Sequence, residues 1–154
     1  MTSYFDKAKA VVAMAIAAGL QLSCSGISGD EKEMIEHDVL GFSEAYFNFD
    51  LKGAASYCTD DSRKWISYVA SNIQESDIEA MRSKESDATV SIVDISFNNS
   101  DSTGTALIKV NNALVLDTIG KPGHTVDETH YRLDFICKEG KCLIRMAGPL
   151  RNER

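Results

Sequence analysis

The residues with chemistry to offer are few: four cysteines, three histidines and a scatter of carboxylates. Cys137 and Cys142 stand on either side of Glu139-Gly140. With that dipeptide as a two-residue hairpin tip, Cys137 faces Cys142, Phe135 faces Ile144 and Leu133 faces Met146, while Asp134 faces Arg145 on the opposite side. Apolar meets apolar and acid meets base, the pairing that cross-strand contacts reward. A slip of one residue would undo all of it. Residues 137 and 142 then form a non-hydrogen-bonded pair with Cα atoms about 4.5 Å apart, within reach of a disulfide. A Cys137–Cys142 bridge is expected; the alternative is two reduced cysteines packed as small apolar groups. The closed loop is short, so the bridge would lock a hairpin edge more than it restricts the unfolded chain. Cys58 has no histidine close to it in sequence and reads as an unpaired cysteine buried in the helical half.

Acid–base and metal chemistry find less support. His130 and Asp134 share one strand face with Arg132, while Tyr131, Leu133 and Phe135 take the other, so the pair reads as solvated. Asp94 sits at a slip in the alternation and reads as a surface or bulge residue, and Asp117 as loop. His37, His124 and His130 lack the paired spacing with cysteines or carboxylates that zinc sites display. There is no Gly-x-Ser-x-Gly elbow and no phosphate-cradling glycine loop. No catalytic residue, metal or cofactor is therefore expected. Tyr46, Trp65, Tyr68 and Tyr131 are the side chains best placed to line an aromatic pocket, with plain core packing as the alternative.

The elements that position these residues fall into two halves. Ile35, Val39, Phe42, Tyr46 and Phe49 recur in steps of four, three, four and three, the stripe of an amphipathic helix that Asp30 could cap. A short helix follows over 51–57. A polar break at Thr59-Asp60-Asp61-Ser62 opens a third helix with Trp65, Ile66, Val69 and Ile73 on one face. Ser76 and Glu79 have the capping-box spacing for a fourth segment. Beyond residue 87 the pattern alternates. Strands are predicted over 89–97, with a bulge at Ile92-Val93, and over 105–116, with Ala106, Ile108 and Val110 on one face. Two more are predicted over 124–138 and 141–146.

The N-terminus reads as an address. Lys7 and Lys9 precede the apolar run from Ala10 to Leu20, which is shorter than the roughly 20 residues a membrane span needs. That is the build of a secretory signal peptide over residues 1–23. Its exit, Leu20-Gln21-Leu22-Ser23-Cys24, resembles the lipobox of bacterial lipoproteins, with Gln21 departing from the usual Leu. The resemblance implies a diacylglyceryl group on Cys24, a tether over 24–29 and, with Ser25 rather than Asp after the cysteine, an outer-membrane destination in the cell envelope. An uncleaved helix carrying an incidental cysteine is the competing reading. The mature chain would carry a charge of −8, so acyl chains and not charge would hold it to the membrane.

The whole chain has net charge −7 and no basic run, which excludes a nucleic-acid footprint. At 44% hydrophobic and 25% charged, its composition is that of a globular domain. Helices followed by antiparallel strands make an α+β fold, with the helices on one face of a four-stranded sheet. With Glu44-Ala45-Tyr46-Phe47-Asn48-Phe49-Asp50-Leu51-Lys52-Gly53-Ala54-Ala55-Ser56-Tyr57-Cys58-Thr59 in its helical half, the chain resembles small bacterial lipoproteins with a nuclear transport factor 2-like, or cystatin-like, fold. That resemblance spans roughly 30–148 and leaves 149–154 as a polar tail. It implies a cone whose open end holds a ligand, and a homodimer through an outer sheet face bearing Arg132, Asp134 and Arg145. Enzymes of this architecture carry an inward carboxylate or a His–Asp pair, which this chain does not offer. The leading expectation is a non-catalytic domain binding a small apolar molecule or a protein partner. The alternatives are an isomerase or hydrolase-like enzyme using the cone pocket, and a structural envelope component.

Overall fold

Helix α1, Gly29–Phe47, begins with a reciprocal cap in the computed structural model, which describes residues 26–116 and 121–153. The Ser28 hydroxyl accepts the Glu31 N–H at 3.3 Å, and the Glu31 carboxylate accepts the Ser28 N–H at 3.0 Å. Ser28 is thus the cap, not Asp30, which lies in the first turn where its charge meets the positive end of the dipole. The Ser28 N–H first, and then the Ser28 hydroxyl donating to the same carboxylate at 2.9 Å, hold the Glu31 carboxyl below its usual range. Of the expected tether, Ile27 already packs against the core and the Gly26 carbonyl accepts the Asn99 amide at 2.6 Å. The expected signal peptide, Cys24 and Asp117 lie outside the described residues.

Ile35, Val39 and Phe42 are fully buried, as the helical stripe requires. The stripe ends sooner than expected, because the Asn48 side chain clasps the first residue of the sheet half. Its amide donates to the Ala88 carbonyl at 3.1 Å, and its carbonyl accepts the Ala88 N–H at 2.8 Å. Phe47 closes the buried face and Phe49 turns away at φ 62°. Helix α2, Leu51–Ser56, is capped by Asp50 through the Gly53 N–H. A single 3-10 turn at Asp60–Ser62 leads into α3, Arg63–Asn72, and then α4, Glu75–Ser83. The α4 capping box is Gln74 with Asp77, two residues before the expected Ser76–Glu79. Asp77 takes precedence because it also accepts the Gly123 N–H at 2.8 Å, a tertiary bond out of reach of an exposed Glu79.

The strands are β1 (Thr89–Asn98), β2 (Thr103–Val115), β3 (His124–Lys138), β4 (Lys141–Arg145) and β5 (Asn152–Glu153). They form one antiparallel sheet in the order β1-β2-β3-β4, with β5 also on β3, and the sheet is not closed. The expected four strands are therefore five. The segment expected to be a polar tail returns to the sheet, pairing His130 with Glu153 and Tyr131 with Asn152. The β1 register slips at Val93, where the bulge was expected. The final hairpin pairs Cys137 with Cys142, Phe135 with Ile144 and Asp134 with Arg145, as expected. Its tip residues Glu139 and Gly140 have φ 51° and 78°, the double positive φ of the turn that matches strand twist. Met146 leaves the ladder, so it does not face Leu133 across a pair.

One apolar layer unites the halves. The inward rungs Ala106, Ile108, Val110, Leu133, Phe135 and Ile144 are buried under α1, which crosses β1, β2 and β4. The free edge of β4 is closed from the helical half, one N–H at a time. Cys142 N–H donates to the Asp38 carboxylate at 2.7 Å, Ile144 N–H to the Tyr57 carbonyl at 2.8 Å, and Met146 N–H to the Ser62 hydroxyl at 2.8 Å. An edge so occupied offers no ladder to another chain.

Candidate functional site

The outward rungs carry charge in neutralising neighbourhoods. Arg132 Nε lies 3.3 Å from Glu153, Lys109 Nζ 3.9 Å from Glu128, and His130 Nε2 4.0 Å from the same carboxylate. Asp94 and Asp134 are exposed. His130 is half-buried and Asp134 exposed on this outward face. Among the described residues there is no group of three or more His, Cys, Asp or Glu arranged to hold a metal ion.

Cys137, near the end of β3, and Cys142, near the start of β4, form a disulfide pair. Cys58 is a different kind of cysteine. It is buried, its thiol donates to the Ala54 carbonyl at 3.5 Å, and burial pushes it up to about 12 against a weaker opposing pull from Arg63. Its thiolate population near neutral pH is then about a thousandfold below that of an ordinary cysteine. Iodoacetamide at pH 8 is expected to leave Cys58 unmodified in the folded protein and to label it fully in denaturant, as read on the peptide carrying it. Rapid labelling in the folded state would show that the Cys58 environment is open.

A concavity of about 890 Å³ opens where the two halves meet at the end of α1. Tyr46, Phe47 and Phe49 form one wall, Leu114, Val115 and Leu116 of the β2 end another, with Tyr131 of β3 between them. Val69 of α3 and the returning segment Pro149–Glu153 complete it. The aromatic wall is contiguous: ring centroids run Phe42–Tyr46 at 5.5 Å, Tyr46–Phe47 at 5.1 Å and Phe47–Tyr131 at 4.7 Å. Burial, with smaller effects from Tyr131 and Cys58, pushes the Tyr46 phenol above its usual range, against a hydrogen bond with the Leu150 backbone. Tyr46 is thus a neutral phenol at physiological pH, a hydrogen-bonding group and not a base.

The four aromatic residues expected around a pocket therefore separate. Tyr46 and Tyr131 line the cleft. Trp65 and Tyr68 do not: their rings meet edge to face at 6.3 Å, Lys64 lies over Trp65, and Tyr68 is 41% exposed. Helical spacing placed them on one face of α3, but only Ile66 of that helix is buried. The lining that was not anticipated had a signal in the sequence. Ala113-Leu114-Val115-Leu116 is a continuous apolar run, which fits a strand covered on both faces better than an alternating one. Asn112, at φ 54°, marks where the alternation ends. A second, polar concavity of about 410 Å³ lies between Thr59, Asp61, Thr103, Thr105, Asp134 and Arg145. Among the described residues no helix is long and apolar enough to cross a membrane. No family model matches the chain, and no curated protein matches it.

Proposed function

We propose that this chain is a bacterial envelope lipoprotein, anchored through Cys24, whose nuclear transport factor 2-like body binds a small apolar or amphipathic molecule without transforming it. The observation that carries the reading is the aromatic and aliphatic cleft at the end of α1. Its volume falls within the roughly 300–1,000 Å³ of small-molecule sites, and its walls set aromatic and aliphatic side chains beside polar atoms that make up the larger part of the exposed lining. Among the described residues, the titratable groups on its wall are the Tyr46 and Tyr131 phenols and, on the returning segment, Arg151 and Glu153. None of them is an enclosed carboxylate suited to general-base work.

The anchor and the cleft are compatible in position. Gly26, two residues after Cys24 in the chain, is held at the β1–β2 turn beside the start of α1. The cleft sits at the other end of that 19-residue helix, about 28 Å away. In this reading acyl chains on Cys24 keep the β1–β2 turn toward the bilayer and present the cleft away from it. The test uses Nile red, an uncharged apolar dye. One dye is expected to bind per chain, and Val69→Trp, which fills the cleft from a half-buried position on α3, is expected to weaken binding at least about tenfold. Absence of dye binding, or binding indifferent to Val69→Trp, would remove the cleft from the account.

A further inference from the structure

We infer that the molecule held in the cleft is a single-chain amphipath with an anionic head, and that Arg151 grips that head. The inference rests on the cleft being a binding site, as proposed above, and adds the chemical class of the ligand. Two charged side chains, Arg151 and Glu153, border the cleft. The Glu153 carboxylate is committed to Arg132 on the outer sheet face at 3.3 Å. Arg151 is exposed, and no ion pair among the described residues reaches it.

Nor is Arg151 loose on a tail. Leu150 before it packs against the core, and Asn152 after it pairs with Tyr131 in the sheet. The backbone is pinned on both sides, so the guanidinium starts from a fixed point on the rim. A guanidinium fits a carboxylate or a phosphate bidentately, and it does so best beside a surface that excludes water. Half-buried Phe49 and Leu116, backed by the buried Phe47 and Leu114, supply apolar surface for a hydrocarbon tail. The segment after β4 thereby acquires a role beyond closing the sheet: it carries the ligand's counter-charge.

The experiment is competition against Nile red on the full chain, with every competitor below its micellar concentration. Palmitate offers a carboxylate head, 1-palmitoyl lysophosphatidate a phosphate head, and 1-monopalmitoylglycerol the same tail without charge. At least one anionic competitor is expected to displace the dye at about tenfold lower concentration than the neutral one. Which of the two does so identifies the head group. Arg151→Gln is expected to erase that preference while leaving the neutral competitor unchanged; the side chain is exposed, so the fold is retained. Equal displacement by charged and neutral competitors, or a preference that survives Arg151→Gln, overturns the anionic head and leaves the apolar cleft standing. Bound Nile red that none of the three displaces overturns the amphipath as well.

Discussion

Gly104→Val is expected to be among the most damaging single substitutions in this chain, costing about 3 kcal/mol or more and lowering the melting temperature by about 10 °C. Gly104 occupies an inward rung of β2, between Phe97 of β1 and Phe135 of β3. The two phenyl rings stack across it, centroids 6.0 Å apart and planes within 13°. A Cβ at this position would stand 2.5 Å from the Phe135 ring and 2.5 Å from the Ser96 carbonyl oxygen. The ring could shift only by giving up its place in a core where Phe135 is fully buried, and the carbonyl belongs to the strand itself. Overpacking of this kind has no soft direction in which to relax. Thermal unfolding followed by circular dichroism checks it, with Val93→Ala, at the exposed bulge, as the matched control within about 0.5 kcal/mol of the parent. A Gly104→Val protein as stable as the parent would mean that the two rings do not pack over that rung.

Asp38→Ala is the second large effect, about 2–3 kcal/mol, and it is electrostatic in origin. Asp38 is nearly buried on α1, and its two carboxylate oxygens have separate duties. One meets the His37 ring nitrogen at 3.0 Å and the other accepts the Cys142 N–H at 2.7 Å. Alanine would leave that N–H buried and unpaired on the free edge of β4, which costs more than the loss of one ordinary surface bond. Asp38→Asn keeps a carbonyl oxygen in place and is expected to recover more than half of the loss. Chemical denaturation of the three proteins side by side measures both terms. Equal stability of the alanine and asparagine variants would show that the carboxylate does not close the edge.

The parts of the fold legible in the sequence are those where local pattern and long-range packing demand the same thing. The last hairpin is one. Phe135 with Ile144 and Asp134 with Arg145 satisfy both faces of the sheet in a single register, and Glu139-Gly140 supplies the turn for it. The Val93 bulge is another, because a bulge reverses the alternation and the reversal is visible in the residue types. The partition of β3 into buried Tyr131, Leu133 and Phe135 against outward Arg132 and Asp134 follows from the same period.

What was not legible depends on partners remote in sequence. Nothing local singles out Asp38, whose partner is 104 positions away. Ser76–Glu79 and Gln74–Asp77 both have capping spacing, and a bond to Gly123 decides between them. β5 is two residues long, too short to show alternation, and its anchors, half-buried Leu150 against the core and Glu153 against Arg132, are contacts with residues remote in sequence. The cleft shares this origin. Its walls come from the ends of α1, β2 and β3 and from the returning C-terminal segment, and periodicity reports which face of an element is apolar without saying what that face meets. Tyr46 and Trp65 show the difference: both lie on apolar helical faces, and only Tyr46 reaches the cleft.

The most direct test of the account is native mass spectrometry of the protein isolated from its own host in a detergent-free polymer disc. The predicted species begins at an acylated Cys24, is two hydrogens short for the Cys137–Cys142 bridge, and carries one non-covalently bound amphipathic molecule per chain. A chain that keeps residues 1–23 with Cys24 unmodified, or one whose cleft is empty, would contradict it.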